Sequence, residues 1–245
     1  MRKRCRTPSA TESHVGVNEM KVMLLGATGL TGGWVLQGLL AREEVSQVVA
    51  LVRHELPTRS DKLVQHEVDF DRLEDHAELF DVDSIICCLG TTIKKAGSRE
   101  QFRKVDLGYA LKAGELGRAQ GVRAYILMSA IGASSSSPIF YNRVKGELED
   151  ALRDLDYPYL SIYHPSLLLG DRKEHRTAEA LGMKAMPLVN SLLIGPLGKY
   201  QGIEASTVAS AMVNEACNLA SEPVTEPIAQ TWEYEDILRL AWQSG

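Results

Sequence analysis

The sequence is poor in the features that mark secreted, metal-bound or membrane-embedded chains. It has four cysteines; Cys87 and Cys88 sit in an apolar, strand-like run, while Cys5 and Cys217 stand alone. That spacing gives neither a disulfide ladder nor a metal-ligand set, and all four are read as reduced thiols. The six histidines form no His-Glu-x-x-His pair or similar cluster, so no metal is expected. A run of about twenty apolar residues, the length a bilayer-spanning helix needs, is missing, and no membrane partner is expected. Positive charge is not in excess either. The net charge of -5 has the wrong sign for a nucleic-acid surface, so no nucleic acid is expected as a ligand. Met1-Arg2-Lys3-Arg4-Cys5-Arg6 has the charged start of a signal peptide, but Thr7 to Asn18 is polar where an apolar stretch would follow. A cytoplasmic location is the expectation.

What is present is ordinary for a globular protein: 44% hydrophobic and 24% charged residues in a chain of 245, long enough for one α/β domain with a sizeable core. Residues 1–19 are polar and without periodicity, which predicts a disordered extension, with Met20 as a candidate natural start. Residues 20–245 are read as a single domain. Val22 to Leu25 is a short apolar run ending in a glycine-rich turn, and Trp34, Leu36, Leu39 and Leu40 then supply an amphipathic helical stripe. Further strand-like runs follow at Val48 to Val52, Leu63 to Val68, Ser84 to Leu89, Arg123 to Ser129 and Tyr159 to Tyr163.

Between them lie helical stretches. One is weak, around Leu73 to Phe80. Another is opened by a Ser98-Arg99-Glu100-Gln101 capping box, in which Gln101 reaches back, and runs to about Gln120. A third begins with Pro138 in its first turn, after a serine run, Ser134 to Ser137, that reads as a flexible loop. Repeated strand-helix alternation predicts a Rossmann-like, doubly wound parallel sheet of about six or seven strands. Beyond Gly170 the pattern loosens: helices are expected near Thr177 to Lys184, Ser206 to Leu219 and from about Tyr234. Residues 171–204 are expected to form a lid within a small C-terminal segment that covers the substrate.

Gly26-Ala27-Thr28-Gly29-Leu30-Thr31-Gly32 places three glycines between a strand and a helix. Glycines there permit a tight turn and let backbone amides approach a pyrophosphate at the helix N-terminus. A glycine turn used only for packing has the same spacing. The second strand ends in Leu51-Val52-Arg53-His54. An arginine there can pair with a 2'-phosphate, which favours NADP over NAD, although Arg53 as a solvated charge and Glu55 as a ribose acceptor stay open. Topology places Asp69 and Phe70 near the adenine and Cys88, Leu89 and Gly90 beside the cofactor; ordinary packing would place them equally well.

Carbonyl reduction needs a proton donor for the developing alkoxide and a means of stabilising the donor's ionised form. Tyr141 and Lys145 are four apart, so on a helix they share a face. A phenol ordinarily titrates near pH ~10, and the charges of Lys145 and an oxidised nicotinamide would draw its ionised form toward neutrality. Ser129, twelve positions before Tyr141 at a strand end, is a candidate to bond the substrate oxygen. A helix-surface pair with a strand-end hydroxyl nearby would look the same.

In order, these residues resemble the short-chain dehydrogenase/reductase superfamily over about Lys21 to Asp171. Cys88-Leu89-Gly90-Thr91-Thr92, Val105-Asp106, Tyr141-x-x-x-Lys145-Gly146-Glu147 and Leu168-Leu169-Gly170-Asp171-Arg172 are similar to the atypical group that contains the Tat-interacting oxidoreductase. The resemblance implies that Ser129 orients a carbonyl, Tyr141 acts as acid and base, and Lys145 holds the nicotinamide ribose. It also implies that Pro165, Ser166 and Leu167 line the nicotinamide side. Two residues depart from it: Asp106 stands where many relatives place an asparagine, and His164 where extended members often have arginine. The expected activity is NADP-dependent interconversion of a carbonyl and an alcohol in a small-molecule substrate. An NADP(H)-binding redox sensor without turnover and a nucleotide-sugar epimerase or dehydratase are the alternatives. A homodimer or a protein partner is compatible with each.

Overall fold

Residues 20 to 25, Met-Lys-Val-Met-Leu-Leu, form a strand buried on both faces, and that single fact sets the architecture. In the computed structural model, which describes residues 20–170, 200–221 and 226–242, this strand β1 (Met20–Leu25) lies within a sheet of seven strands. Successive side chains leave a strand on opposite faces. Accordingly Val22 and Leu24 enter one apolar core, while Met23 and Leu25 enter a second on the other side. A sheet covered on both faces needs near-continuous apolar strands, as the sequence supplies here. Truncating one of these fully buried side chains, Leu25→Ala for example, costs about 2–5 kcal/mol.

The chain continues through α1 (Leu30–Ala41), β2 (Val45–Val52), β3 (Leu63–Glu67), a 3-10 segment (Phe70–Phe80) and β4 (Ser84–Cys87). Next come α2 (Ile93–Ala96), α3 (Arg99–Arg103), a π-helical turn (Lys104–Tyr109), α4 (Ala110–Ala119), β5 (Ala124–Met128) and α5 (Phe140–Arg153). Then follow β6 (Tyr159–Tyr163), β7 (Leu168–Leu169), β8 (Ile203–Glu204), α6 (Ala205–Ser221), β9 (Ile228–Trp232) and α7 (Tyr234–Trp242). The large sheet has the order β3-β2-β1-β4-β5-β6-β9 with every pairing parallel, and β7 pairs with β8 separately. This is the doubly wound, Rossmann-like fold.

Register decides where the site lies. Leu25 is opposite Leu51 and Cys87, Cys87 is opposite Leu127, and Leu127 is opposite Ile162. One row of residues therefore crosses the sheet, and the segments just past it (Gly26, Arg53, Cys88 to Gly90, Ser129 and His164) emerge along one carboxyl edge. The strand order reverses between β1 and β4, the crevice in which open α/β sheets take ligands.

On the face opposite α5, α6 is tied to the sheet through Glu215. Its carboxylate is buried and accepts from Tyr159 Oη at 2.9 Å, Ser161 Oγ at 2.8 Å, Tyr163 Oη at 2.9 Å and Trp232 Nε1 at 2.7 Å. Burial raises the Glu215 pKa above the usual carboxylate range, against the opposing effect of those four donors.

Several expectations are corrected. Trp34 is 47% exposed, because Thr31, Gly32, Val35, Leu36 and Leu39 form the inner face of α1 and tryptophan falls outside it. Pro138 precedes α5 instead of opening it: Ile139 is the extended N-cap and the helix starts at Phe140. The serine run is tied down. Ser134 N donates to Asn142 O at 3.0 Å, Arg143 Nη1 donates to Ser137 O at 2.8 Å, and a Cβ on Gly146 would strike the Ser134 main chain. Ser98 does cap α3, accepting from Gln101 N at 3.1 Å, but no return bond from the Gln101 side chain exists among the described residues. The expected helix from Ser98 to about Gln120 is interrupted by the π turn, and the 70–80 segment kinks at Arg72 and His76. The short α2 and strands β7, β8 and β9 were not foreseen. Residues 1–19, the helix expected at Thr177 to Lys184 and residues 171–199 of the expected lid lie outside the described residues.

Candidate functional site

The glycine turn between β1 and α1 is built for close backbone approach. Gly26 has φ +84°, and a Cβ there would lie 2.5 Å from Cys88 O and 2.9 Å from Leu89 N. A Cβ on Gly32 would collide with Gly26 O. The Gly29 amide donates to Gly26 O at 2.9 Å, which closes the turn, and Gly29 then serves as the N-cap of α1 without any side chain to fill the helix mouth. No acidic residue occupies the first turn. The amides of Leu30 and its neighbours lack intrahelical acceptors, so the mouth of α1 favours an anion. The Thr31 hydroxyl, buried and without a partner among the described residues, adds a polar group to this cradle. A dinucleotide pyrophosphate fits that set of donors. Thr28 is exposed in the turn itself.

At the end of β2, Arg53 is exposed and makes no ion pair among the described residues. Glu55 is engaged by Arg59, with 3.1 Å between charged atoms. Asp69 caps the 3-10 segment by accepting from Asp71 N at 2.9 Å, and Phe70 is buried with its ring 5.4 Å from that of Tyr109. Cys88 is buried, Leu89 half-buried and Gly90 exposed along the carboxyl edge of β4. Burial pushes the thiols of Cys87 and Cys88 well up, so neither is a ready nucleophile.

Beyond Gly90 the two halves of the site meet. Lys145 Nζ lies 3.0 Å from Asp106 Oδ1, with 3% of the lysine and 1% of the aspartate side chain exposed. Asp106 Oδ2 accepts from Thr91 N at 2.8 Å. A Cβ on Gly90 would sit 3.5 Å from Asp106 Oδ1 and 3.9 Å from Lys145 Nζ, so Gly90 lies beside the pair. Burial opposes the charge on Lys145, but Asp106 and then Tyr141 more than offset it, and the lysine pKa lies above its ordinary value. Tyr141 is one turn earlier on α5, half-buried, with its ring 5.6 Å from that of Phe102. Its hydroxyl has no hydrogen-bond partner among the described residues, and it remains available to a ligand. Tyr141 and Lys145 thus share a helix face.

Ser129 lies just past the end of β5, the strand-end position expected of it, and its hydroxyl has a protein partner. It is buried, and its Oγ donates to Glu149 Oε1. The same carboxylate oxygen lies 2.8 Å from His164 Nε2, and Arg153 Nη2 stands 3.4 Å from Glu149 Oε2. The single hydroxyl proton of Ser129 is donated within this cluster. Pro165 is buried and its carbonyl accepts from Ile131 N at 3.0 Å; Ser166 Oγ donates to Gln201 O; Leu167 is 40% exposed. Two members of the site escaped sequence reasoning. Glu149 had a readable signal, lying four residues past Lys145 on the same helical face, whereas Thr31 is distinguished only by its burial.

Residues 26–185 match the family model described as NAD(P)H-binding. The chain is 38% identical over 167 residues to Protein HTATIP2 of Rattus norvegicus, covering 66% of this chain and 69% of that protein. It is 35% identical over 188 residues to Protein FMP52, mitochondrial, of Meyerozyma guilliermondii, covering 73% of this chain and 78% of that one. Among solved structures, a putative NAD-dependent epimerase/dehydratase from Bacillus halodurans superposes with a TM-score of 0.62 at 17% identity, covering 92% of this chain and 100% of its own. A UDP-glucose 4-epimerase from Thermotoga maritima, solved with UDP-glucose, gives 0.61 at 14% identity, covering 89% and 88%. These two likenesses concern the fold alone. Together, the glycine cradle, the parallel sheet and the matched residues make this chain a member of the NAD(P)H-binding family, on an extended short-chain dehydrogenase/reductase-like fold.

Proposed function

We propose that the protein is an NADP-dependent oxidoreductase interconverting a carbonyl and an alcohol in a small molecule. The observation that carries this reading is the Tyr141 hydroxyl, without a hydrogen-bond partner among the described residues, on the same helical face as the buried Lys145 ammonium, which itself lies beside Gly90. A bound nicotinamide supplies or receives the hydride. Tyr141 gives its proton to the oxygen that becomes the alcohol, or takes it in the reverse direction. Lys145 holds the nicotinamide ribose, and its charge favours the ionised phenol. Gly26, Gly29 and Gly32 admit the pyrophosphate, and Arg53 pairs with the 2'-phosphate. Ser129 is assigned a positioning role through Glu149. In place of a cytoplasmic site alone, mitochondria enter this proposal, because the FMP52 relatives carry that location in their names.

The test is NADPH consumption across a panel of aldehydes and ketones, comparing the native protein with Tyr141→Phe. Turnover by the native protein, lost in the variant while NADPH still binds, is the expected result. Absence of turnover with every carbonyl would overturn the reading.

A second reading, an NADP(H) sensor that changes partner contacts without turnover, draws on one observation. The Ser129 hydroxyl donates to Glu149 and so is not free to serve beside Tyr141 as a second donor to a substrate. Partner capture controlled by NADPH, with no turnover by native protein or variant, is what that reading expects.

A further inference from the structure

Asp106 brings a full negative charge into the deepest part of the site. It sits in a π-helical turn, a winding that is rare and concentrates where function requires it, and its carboxylate is 1% exposed. The Thr91 amide fixes one carboxylate oxygen, the Lys145 ammonium faces the other at 3.0 Å, and Gly90 lies beside that second oxygen and the ammonium. The pair is therefore electrically neutral as a unit. Charges this deeply buried are screened little by salt, so an unbalanced one would be felt by any neighbouring group.

The two forms of a nicotinamide dinucleotide share phosphates, riboses and adenine, and differ in the charge of one ring: positive when oxidised, neutral when reduced. A site with a compensated lysine meets both rings alike, whereas an uncompensated ammonium repels only the oxidised one. We infer that Asp106 sets the redox-state preference of cofactor binding, keeping the affinity for the oxidised form near that for the reduced form by cancelling the charge of Lys145. This rests on the proposed placement of Lys145 at the nicotinamide ribose. A unit charge within about 10 Å of the ring, in a medium of effective dielectric about 20, alters affinity by roughly tenfold or more.

The experiment is calorimetric titration of oxidised and reduced cofactor, from whichever of the NADP and NAD pairs the native protein binds, into native protein, Asp106→Asn and the double variant Asp106→Asn/Lys145→Met. The expected result is a ratio of the two affinities that moves about tenfold against the oxidised form in Asp106→Asn and returns in the double variant, where both charges are gone. Asp106→Ser, smaller and still able to accept from Thr91 N, gives the same measurement if the amide variant does not fold. A ratio unmoved in the single variant, or still displaced in the double variant, overturns the inference and leaves the proposed function standing. Native protein that binds neither form overturns both.

Discussion

Glu149 Oε1 lies 2.8 Å from His164 Nε2 and joins the end of β6 to the middle of α5, two elements that meet at the carboxyl edge of the sheet. The same oxygen accepts from Ser129 at the end of β5, so a single carboxylate holds three elements in mutual position. Removing it strands a buried hydroxyl and a largely buried imidazole. Glu149→Ala should lower the unfolding free energy by about 1–3 kcal/mol in urea titrations, the cost of unsatisfied buried polar groups. Glu149→Gln, which keeps an acceptor, should lose less.

Gly26 and Gly121 both have positive φ, +84° and +82°, but differ in what surrounds them. A Cβ at Gly26 meets main-chain atoms of Cys88, which cannot yield, while nothing lies within 4 Å of one at Gly121. Gly121→Ala should cost only the left-handed penalty, about 1–2 kcal/mol, and Gly26→Ala about 2–5 kcal/mol once the collision is added. Parallel denaturation curves would separate strain from collision. Cofactor affinity should fall in Gly26→Ala and hold in Gly121→Ala.

Arg53, at the end of β2, makes no ion pair among the described residues, and Glu55, the acidic candidate for a ribose hydroxyl, is turned to Arg59. Arg53→Ala should weaken NADPH by roughly tenfold and leave NADH unchanged, as expected for an exposed charge-assisted contact made to only one of them. Fluorescence titration with both nucleotides reads the difference directly. Equal losses, or none, would remove the 2'-phosphate assignment.

Much of this was legible beforehand because local signals were strong. Tyr159 to Tyr163 was read with the bounds it has, an apolar run closed by His164-Pro165. The glycine turn announced itself by its place between strand and helix, and Tyr141 with Lys145 by the four-residue repeat of a helical face. Strand β9 was not legible, since Ile-Ala-Gln-Thr-Trp is largely exposed on the outer edge of the sheet and shows no clean alternation. Neither was the direction of the Ser129 hydroxyl: a strand-end serine can serve a substrate or a neighbour, and only the fold brings Glu149 within reach.

Glu215 offers a test of linkage. Its pKa is held above the ordinary carboxylate range, chiefly by burial, so the folded protein binds that proton more tightly than the unfolded chain. The stabilisation from that extra proton affinity is full below the unfolded pKa and is lost as pH rises through the folded value. Unfolding free energies of native protein should therefore fall, relative to Glu215→Leu, as pH climbs from the usual glutamate range toward the folded pKa, and run parallel above it. Urea denaturation at a series of pH values checks the sign. A relative rise over that window would contradict it.

The winding of residues Lys104–Tyr109 has a consequence for anyone grafting this helix onto another scaffold. Adding or deleting one residue in a helix rotates everything downstream by about 100°. Resetting the wide turn to an ordinary α pitch would therefore disturb the phase between Phe102, packed in the interior, and Asp106, poised beside Gly90. The carboxylate owes its address to a local winding fault as well as to its own bonds, so a transplant must carry the fault along with it.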